Sequence, residues 1–205
     1  MHGLIHKLFL LHWQLRAKIQ FAIRGVAWAK GLKVKGKLGL VSHGKMVLGE
    51  NITIVNDSKY NRAGVNHPTQ LVVKKGATLT IGDNVGISGA AVFCAESLTI
   101  GNHVLIGVNC NIYDTDFHAT DFMERRNSKP PKTAPVVIED DVWLCANVTV
   151  LKGVTIGARS NIAAASVVTR NIPADTIAAG IPAKPIGSIA TKQSDGQVTL
   201  RDSLP

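Results

Sequence analysis

Hydrophobic positions in the second half of the chain recur with a period of six. Ile138, Leu144, Val150, Ile156, Ile162 and Val168 stand six apart, and a companion file of Val136, Val142, Val148, Val154, Ser160 and Ser166 runs two residues ahead. The double track continues upstream through Ile100, Ile106 and Ile112 with Leu98, Val104 and Cys110, and through Ile81 and Ile87 with Leu79 and Val85. A weaker start lies at Leu48 and Ile54 with Met46 and Ile52. Alternation over two residues describes a strand with one face turned inward. Gly, Asn and Asp then supply a turn, as in Gly82-Asp83-Asn84 and Gly101-Asn102. Short repeats of this kind predict a solenoid, with three strand-turn units per triangular coil and inward residues stacked in files.

The N-terminal segment obeys a different period. Leu4, Leu8, Leu11, Leu15, Ile19, Ala22, Ile23 and Val26 are spaced as on a helix, predicted over residues 3–27. Ile5, Phe9, Trp13, Phe21 and Trp28 widen its apolar face, and basic residues fill the remainder. Such a helix either lies in a membrane interface or packs on the end or side of the domain. No uninterrupted apolar run reaches the roughly 18 residues of a spanning helix. No small-residue cleavage site follows Leu8-Phe9-Leu10-Leu11, which argues against a secretory signal.

Composition agrees with thin stacked layers. Aromatic residues are 5% of the 205 positions, while small and β-branched residues abound. The formal charge of +9 is unevenly spread. Lys7, Arg16, Lys18, Arg24, Lys30, Lys33, Lys35, Lys37 and Lys45 precede the first acid, Glu50, and beyond it acids and bases balance. That asymmetry fits either an anionic partner surface, membrane lipid or acidic glycan, or a solvated face. Cys94, Cys110 and Cys145 lack CxxC spacing and sit inside apolar repeats, so they read as small buried hydrophobes of a cytoplasmic protein.

The files break in one place, between Ile112 and Val136. The insert opens Tyr113-Asp114-Thr115-Asp116-Phe117-His118 and continues through a polar stretch with Arg125, Arg126, Pro130 and Pro131. A long loop leaving a rigid solenoid is usually functional.

The repeats resemble those of the hexapeptide-repeat acyltransferases over about residues 40–187. The resemblance implies an all-β, left-handed parallel β-helix; the left hand comes from it alone, because the general rule for parallel crossovers favours the right. Expected domains are a basic amphipathic helical segment at 1–30, the β-helix at 31–187 with its loop at 113–135, and a polar tail at 188–205. Asp114-Thr115-Asp116-Phe117-His118 resembles the catalytic loop of maltose- and galactoside-type O-acetyltransferases and of relatives from polysaccharide gene clusters. In that family the loop histidine is the general base, and the match falls on His118. A sugar hydroxyl is a weak nucleophile, and an imidazole, ordinarily of pKa about 6.5, can accept its proton during attack on a thioester. Asp114 or Asp116 would orient the ring or hold an acceptor hydroxyl, unless one merely shapes the turn.

Val142-Trp143-Leu144-Cys145 resembles the family's V-W-I-G, with Cys145 placing a side chain where a glycine is usual. The segment from Ala163 to Pro173 resembles I-G-A-G-S-V-V-T-K-D-I-P, and Ala179-Gly180-Ile181-Pro182-Ala183-Lys184 resembles the closing A-G-x-P-A-K. By position, the resemblance makes Trp143, Ala146, Ala164, Thr169, Arg170 and Lys184 the acetyl-CoA contacts, with Arg170 and Lys184 suited to phosphate. Ser88 is a further acceptor-site candidate beside Asp114. The implied protein is a homotrimer, without a metal, acetylating a sugar or glycan and not binding nucleic acid. Residues 1–30 would associate peripherally with an anionic membrane at its inner face. Rival readings are N-acetylation of an amino sugar or similar acceptor, a γ-type carbonic anhydrase, and a non-catalytic β-helix. The second of these needs three histidines around zinc, and no HxxxxH occurs.

Overall fold

The computed structural model describes residues 2–189, with side chains from Lys7 onward. The expectation of a polar tail concerns mainly residues from 190, outside the described ones.

The described residues wind into coils that contribute one short strand to each of three faces. The first face stacks Ala27–Trp28, Lys45–Leu48, Thr78–Ile81, Ser97–Ile100, Val136–Ile138 and Thr155–Ile156. The second stacks Lys33–Lys35, Thr53–Val55, Gly86–Ser88, Leu105–Ile106, Trp143–Leu144 and Asn161–Ile162, and ends in a hairpin of Thr176–Gly180 and Ala183–Ser188. The third stacks Gly39–Ser42, Gln70–Val73, Ala91–Cys94, Asn111–Tyr113, Thr149–Val150 and Val167–Val168. Every pairing among these strands except the terminal hairpin is parallel.

The predicted files are the core. All six aliphatics from Ile138 to Val168 are fully buried, and Val136, Val142, Val148, Val154, Ser160 and Ser166 are no more than 1% exposed. Burial of each such aliphatic is worth roughly 1.5–3 kcal/mol. The two serines are satisfied inside: Ser160 Oγ donates to Pro173 O at 2.8 Å, and Ser166 Oγ accepts from Gly180 N at 3.0 Å. Stacking also dictates the turns. A Cβ on Gly107 would lie 2.7 Å from the carbonyl carbon of Cys145 on the next coil, too close to accommodate. At the corner between the first and second faces, Asn51, Asn84, His103, Asp141, Arg159 and Asp175 all adopt positive φ. His103 is therefore a rung of a turn ladder.

Two expectations change. The predicted helix stops at Ile23, giving α1 (His2–Ile23), because Gly25 takes a left-handed conformation at φ 63°. Val26 N then donates to Phe21 O and Gly25 N to Ala22 O, the paired bonds of a glycine-terminated helix. The chain enters the first face at Ala27, earlier than the weak hydrophobic start suggested. Second, the files break twice. Residues 56–69 also leave the coil, closed by Thr69 N donating to buried Asn56 Oδ1 at 2.9 Å and pinned by Asn109, which bonds Asn66 N and Gly64 O.

α1 covers one end of the stack. Ala17 and Phe21 are buried against it, and Gln14 bridges the open edge of the second face, accepting from Val34 N at 2.7 Å and donating to Leu32 O. Those edge groups would otherwise be unpaired.

Candidate active site

The 113–135 loop leaves the solenoid at the corner between the third and first faces. Its stem is a short antiparallel pairing: Thr115 bridges Thr133, Asp116 N donates to Lys132 O, and Ala134 N to Asp114 O. Its tip carries α2 (Phe122–Arg126), capped by Asp121, whose Oδ1 accepts from Met123 N and Glu124 N at 2.9 Å. Arg125 folds back to donate to Ala119 O at 3.1 Å.

The two loop aspartates have different tasks. Asp114 is fully buried, and its carboxylate accepts from Ala95 N at 2.6 Å, Glu96 N at 2.7 Å and Ser97 N at 2.9 Å. Both oxygens are committed to the corner of the preceding coil, so the expected catalytic or acceptor-binding role of Asp114 is corrected to a structural one. Neighbouring Cys94 feels this environment: burial, and next the Asp114 charge, push its thiol up to about 12. Asp116 is only partly buried and pairs with Lys152 Nζ at 2.9 Å. It touches His118 through the backbone, where His118 N donates to Asp116 O at 2.7 Å. Neither carboxylate is hydrogen-bonded to the imidazole.

His118 is exposed, and its ring makes no hydrogen bond to any described residue. The residue before it fixes its direction. Phe117 sits at φ 62°, a conformation costly for a bulky residue. Its ring is held by Phe93, centroids 4.8 Å apart, and by Tyr113 at 5.1 Å. Beside this cluster a cleft of about 420 Å³ is lined by Lys74, Lys75, Phe93, Thr115, Phe117, Pro130, Pro131 and Thr133 among others. Sequence reasoning did not single out Phe117, Phe93, Lys152 or the two lysines. The one available signal was the concentration of scarce aromatic residues around the loop.

The remaining candidates are spread around the prism. Arg170 and Thr169 are exposed at the loop's own corner, one coil beyond Lys152. Ala146 and Ala164 occupy stacked turns between the second and third faces, tied by Ala165 N donating to Ala146 O at 2.9 Å. Cys145 is accommodated there without distortion, because the left-handed position of that turn falls on Asn147. Trp143, 47% exposed, and Ser88 line a groove of about 170 Å³ on the second face, opposite the loop's corner. Ser88 Oγ accepts from Asn61 Nδ2 at 3.1 Å. Lys184 is exposed on the terminal hairpin. Within one chain, then, the loop of His118 shares a corner with Thr169 and Arg170, two coils apart, and lies across the prism from Trp143 and Ser88. Among the described residues, no group of three His, Cys, Asp or Glu side chains could hold a metal ion.

Residues 135–170 match the family profile of the bacterial transferase hexapeptide (six repeats). The chain is 48% identical over 92 residues to a candidate acetyltransferase of Schizosaccharomyces pombe, covering 45% of this chain and 44% of that one. It is 46% identical over 74 residues to a 2,3,4,5-tetrahydropyridine-2,6-dicarboxylate N-acetyltransferase of Clostridium perfringens, covering 36% and 31%. The chain thus spans about half the length, or less, of these relatives. Among solved structures, a hexapeptide-repeat acetyltransferase of Vibrio cholerae complexed with acetyl-CoA shares 41% identity over 55% of this chain and 61% of that one, with TM-score 0.52. Another structure of that protein aligns over 87% and 82% at 29% identity and TM-score 0.60. A maltose O-acetyltransferase of Clostridium difficile shares 31% identity over 55% and 60%, with TM-score 0.51. The matched segment carries hexapeptide repeats, and the chain has the left-handed parallel β-helix fold of the hexapeptide-repeat acetyltransferases it is similar to.

Proposed function

We propose that this protein transfers an acetyl group from acetyl-CoA to a hydroxyl of a sugar or glycan precursor, with His118 as general base. The observation that carries the reading is an exposed imidazole, free of partners among the described residues, projecting from a loop locked at Phe117. The chain's likeness to a Vibrio cholerae acetyltransferase that binds acetyl-CoA supports the donor.

Acetyl-CoA supplies an activated thioester carbonyl. His118 takes the proton from the acceptor hydroxyl as its oxygen bonds to that carbonyl carbon, and the C–S bond then breaks. The CoA thiolate leaves without a strong acid, and the imidazolium returns the proton to it or to solvent. Transfer is direct, within a ternary complex, with no acyl-enzyme. A positioned base of this kind is worth about 100- to 10,000-fold. Asp116, held by Lys152, fixes the stem from which His118 projects and is a positioning residue. Arg170, exposed at the same corner, suits a CoA phosphate. The small side chains of Ala146 and Ala164 leave the adjacent turn edge open to the rest of that molecule.

The spread of candidates over opposite sides of the prism supports a site shared between chains. In a homotrimer of parallel prisms, the loop corner of one chain faces a neighbour's side, so Trp143 and Ser88 can meet another copy's His118. The excess of basic charge before Glu50 fits an anionic partner.

A hydroxyl acceptor is favoured by the likeness to a maltose O-acetyltransferase. The likeness to a tetrahydropyridine-dicarboxylate N-acetyltransferase supports a second reading, transfer to an amine. Labelled acetyl-CoA offered with a panel of glycans, amino sugars and small amines separates them. We expect ester-linked, alkali-labile acetyl on sugar hydroxyls; label confined to amines would establish the second reading instead.

A further inference from the structure

α1 is apolar on two opposite sides, and the fold uses only one of them. At 3.6 residues per turn, Leu10, Ala17 and Phe21 face the solenoid, Leu8, Leu15, Ile19 and Ile23 lie on the far side, and Leu11 lies at the edge between them. These five residues are between 49% and 76% exposed; Leu11, Leu15, Ile19 and Ile23 form one i, i+4 row along the helix, with exposed His12 beside it. A single-faced amphipathic helix, the expectation from spacing alone, would carry charge there.

The charges sit at the seams instead. Lys7 and Lys18 border the stripe on one flank and Arg16 on the other, all exposed. Lys33 and Lys35 extend the basic border onto the solenoid, where they line a groove of about 380 Å³ with Lys7, Leu10, Leu11 and Gln14. No acid precedes Glu50 in the sequence. A contiguous apolar stripe of this size calls for a cover.

We infer that the outward stripe of α1 inserts into the surface of an anionic lipid bilayer, with the helix lying parallel to it. The fit is chemical on both counts: leucine and isoleucine side chains enter the acyl boundary while the flanking lysines and arginine meet lipid phosphates. A second copy of this chain would bring the same uncompensated positive charge against itself, which disfavours it as the cover. Among the described residues no helix is long and apolar enough to cross a membrane. The Gln14 clamp further keeps α1 along the end of the stack, so the surface-parallel pose is the one open to it.

Flotation of the full-length protein with vesicles of phosphatidylcholine, with and without phosphatidylglycerol, tests this. The protein is expected to float with the phosphatidylglycerol vesicles at low salt, about tenfold better than with phosphatidylcholine alone. Leu11→Glu with Leu15→Glu should lower that partition by at least about tenfold. Leu15→Gln with Ile19→Gln, which adds no charge, should weaken it in the same direction. Both positions in each pair are exposed, so thermal melting should be unchanged. Lys7→Gln with Lys18→Gln should remove most of the salt-sensitive part. No flotation with either vesicle, or equal flotation by the Leu11/Leu15 variant, would overturn the inference. So would loss of oligomeric order in that variant by light scattering with lipid binding intact, which would assign the stripe to a second copy. Acetyl transfer to a soluble acceptor should be unaffected in every variant.

Discussion

The coil at Leu144 and the loop at His118 stand close in sequence and are built on opposite terms. In the coil, Val142, Leu144, Val148 and Val150 point inward and are fully buried, and each turn repeats its neighbours' geometry. Packing alone determines those side chains, and one residue type can replace another of similar volume. In the loop, nothing repeats. Asp114 is fixed by three backbone donors, Asp116 by Lys152, and Phe117 by two rings. His118 alone among these side chains is left without such a tie. The contrast teaches that the rigid part of this protein holds an unpartnered imidazole out of the regular lattice, and that the loop's other side chains anchor the backbone around it.

That division is open to attack, beginning with the largest effect. Asp114→Asn removes a buried charged acceptor from three N–H groups and is expected to cost about 2–4 kcal/mol of stability, measured by denaturant unfolding. The partner change Asp116→Asn breaks a partly exposed ion pair and should cost about 0.2–1 kcal/mol. Equal losses would mean the two aspartates are not divided into structural and positioning residues. Phe117→Ala should leave stability near that of the parent while kcat falls about ten- to a hundredfold with KM little changed, because the imidazole loses its direction. An unaffected kcat would show that the ring cluster does not set the site. Within the coils, Ala165 adopts φ 58° without a glycine's freedom. Ala165→Gly is expected to stabilise by about 0.5–1 kcal/mol, seen as a raised Tm, whereas a drop would mean that the turn is not strained.

The files at Ile81–Ile87, Ile100–Ile112 and Ile138–Val168 were legible because inward positions there keep a strict spacing, and buried neighbours on each coil enforce it. The break at 56–69 was not. Val92 follows Ile87 by five residues, and the coil through Leu71 and Val73 is separated from Ile54 by that excursion, so the count of six fails on both sides. The proposed role of His118 comes from the resemblance of its motif; its exposed loop position was legible from the break in the files. The roles of Asp114 and Asp116 were not, because they depend on which carboxylate falls in register with the inward position of Cys94, a fact of three-dimensional stacking. The two-sidedness of α1 was half visible as an over-wide apolar face; only the docked helix shows which half is spent. The end of that helix could have been read from Gly25, whose backbone freedom ends it before the apolar spacing does.

The most direct test is single-turnover acetyl transfer from labelled acetyl-CoA to the accepted glycan, comparing the parent with His118→Ala and measuring CoA affinity of both by calorimetry. The account predicts a rate lower by about two to four powers of ten with CoA affinity nearly unchanged. A His118→Ala protein that transfers acetyl at the parental rate would contradict it.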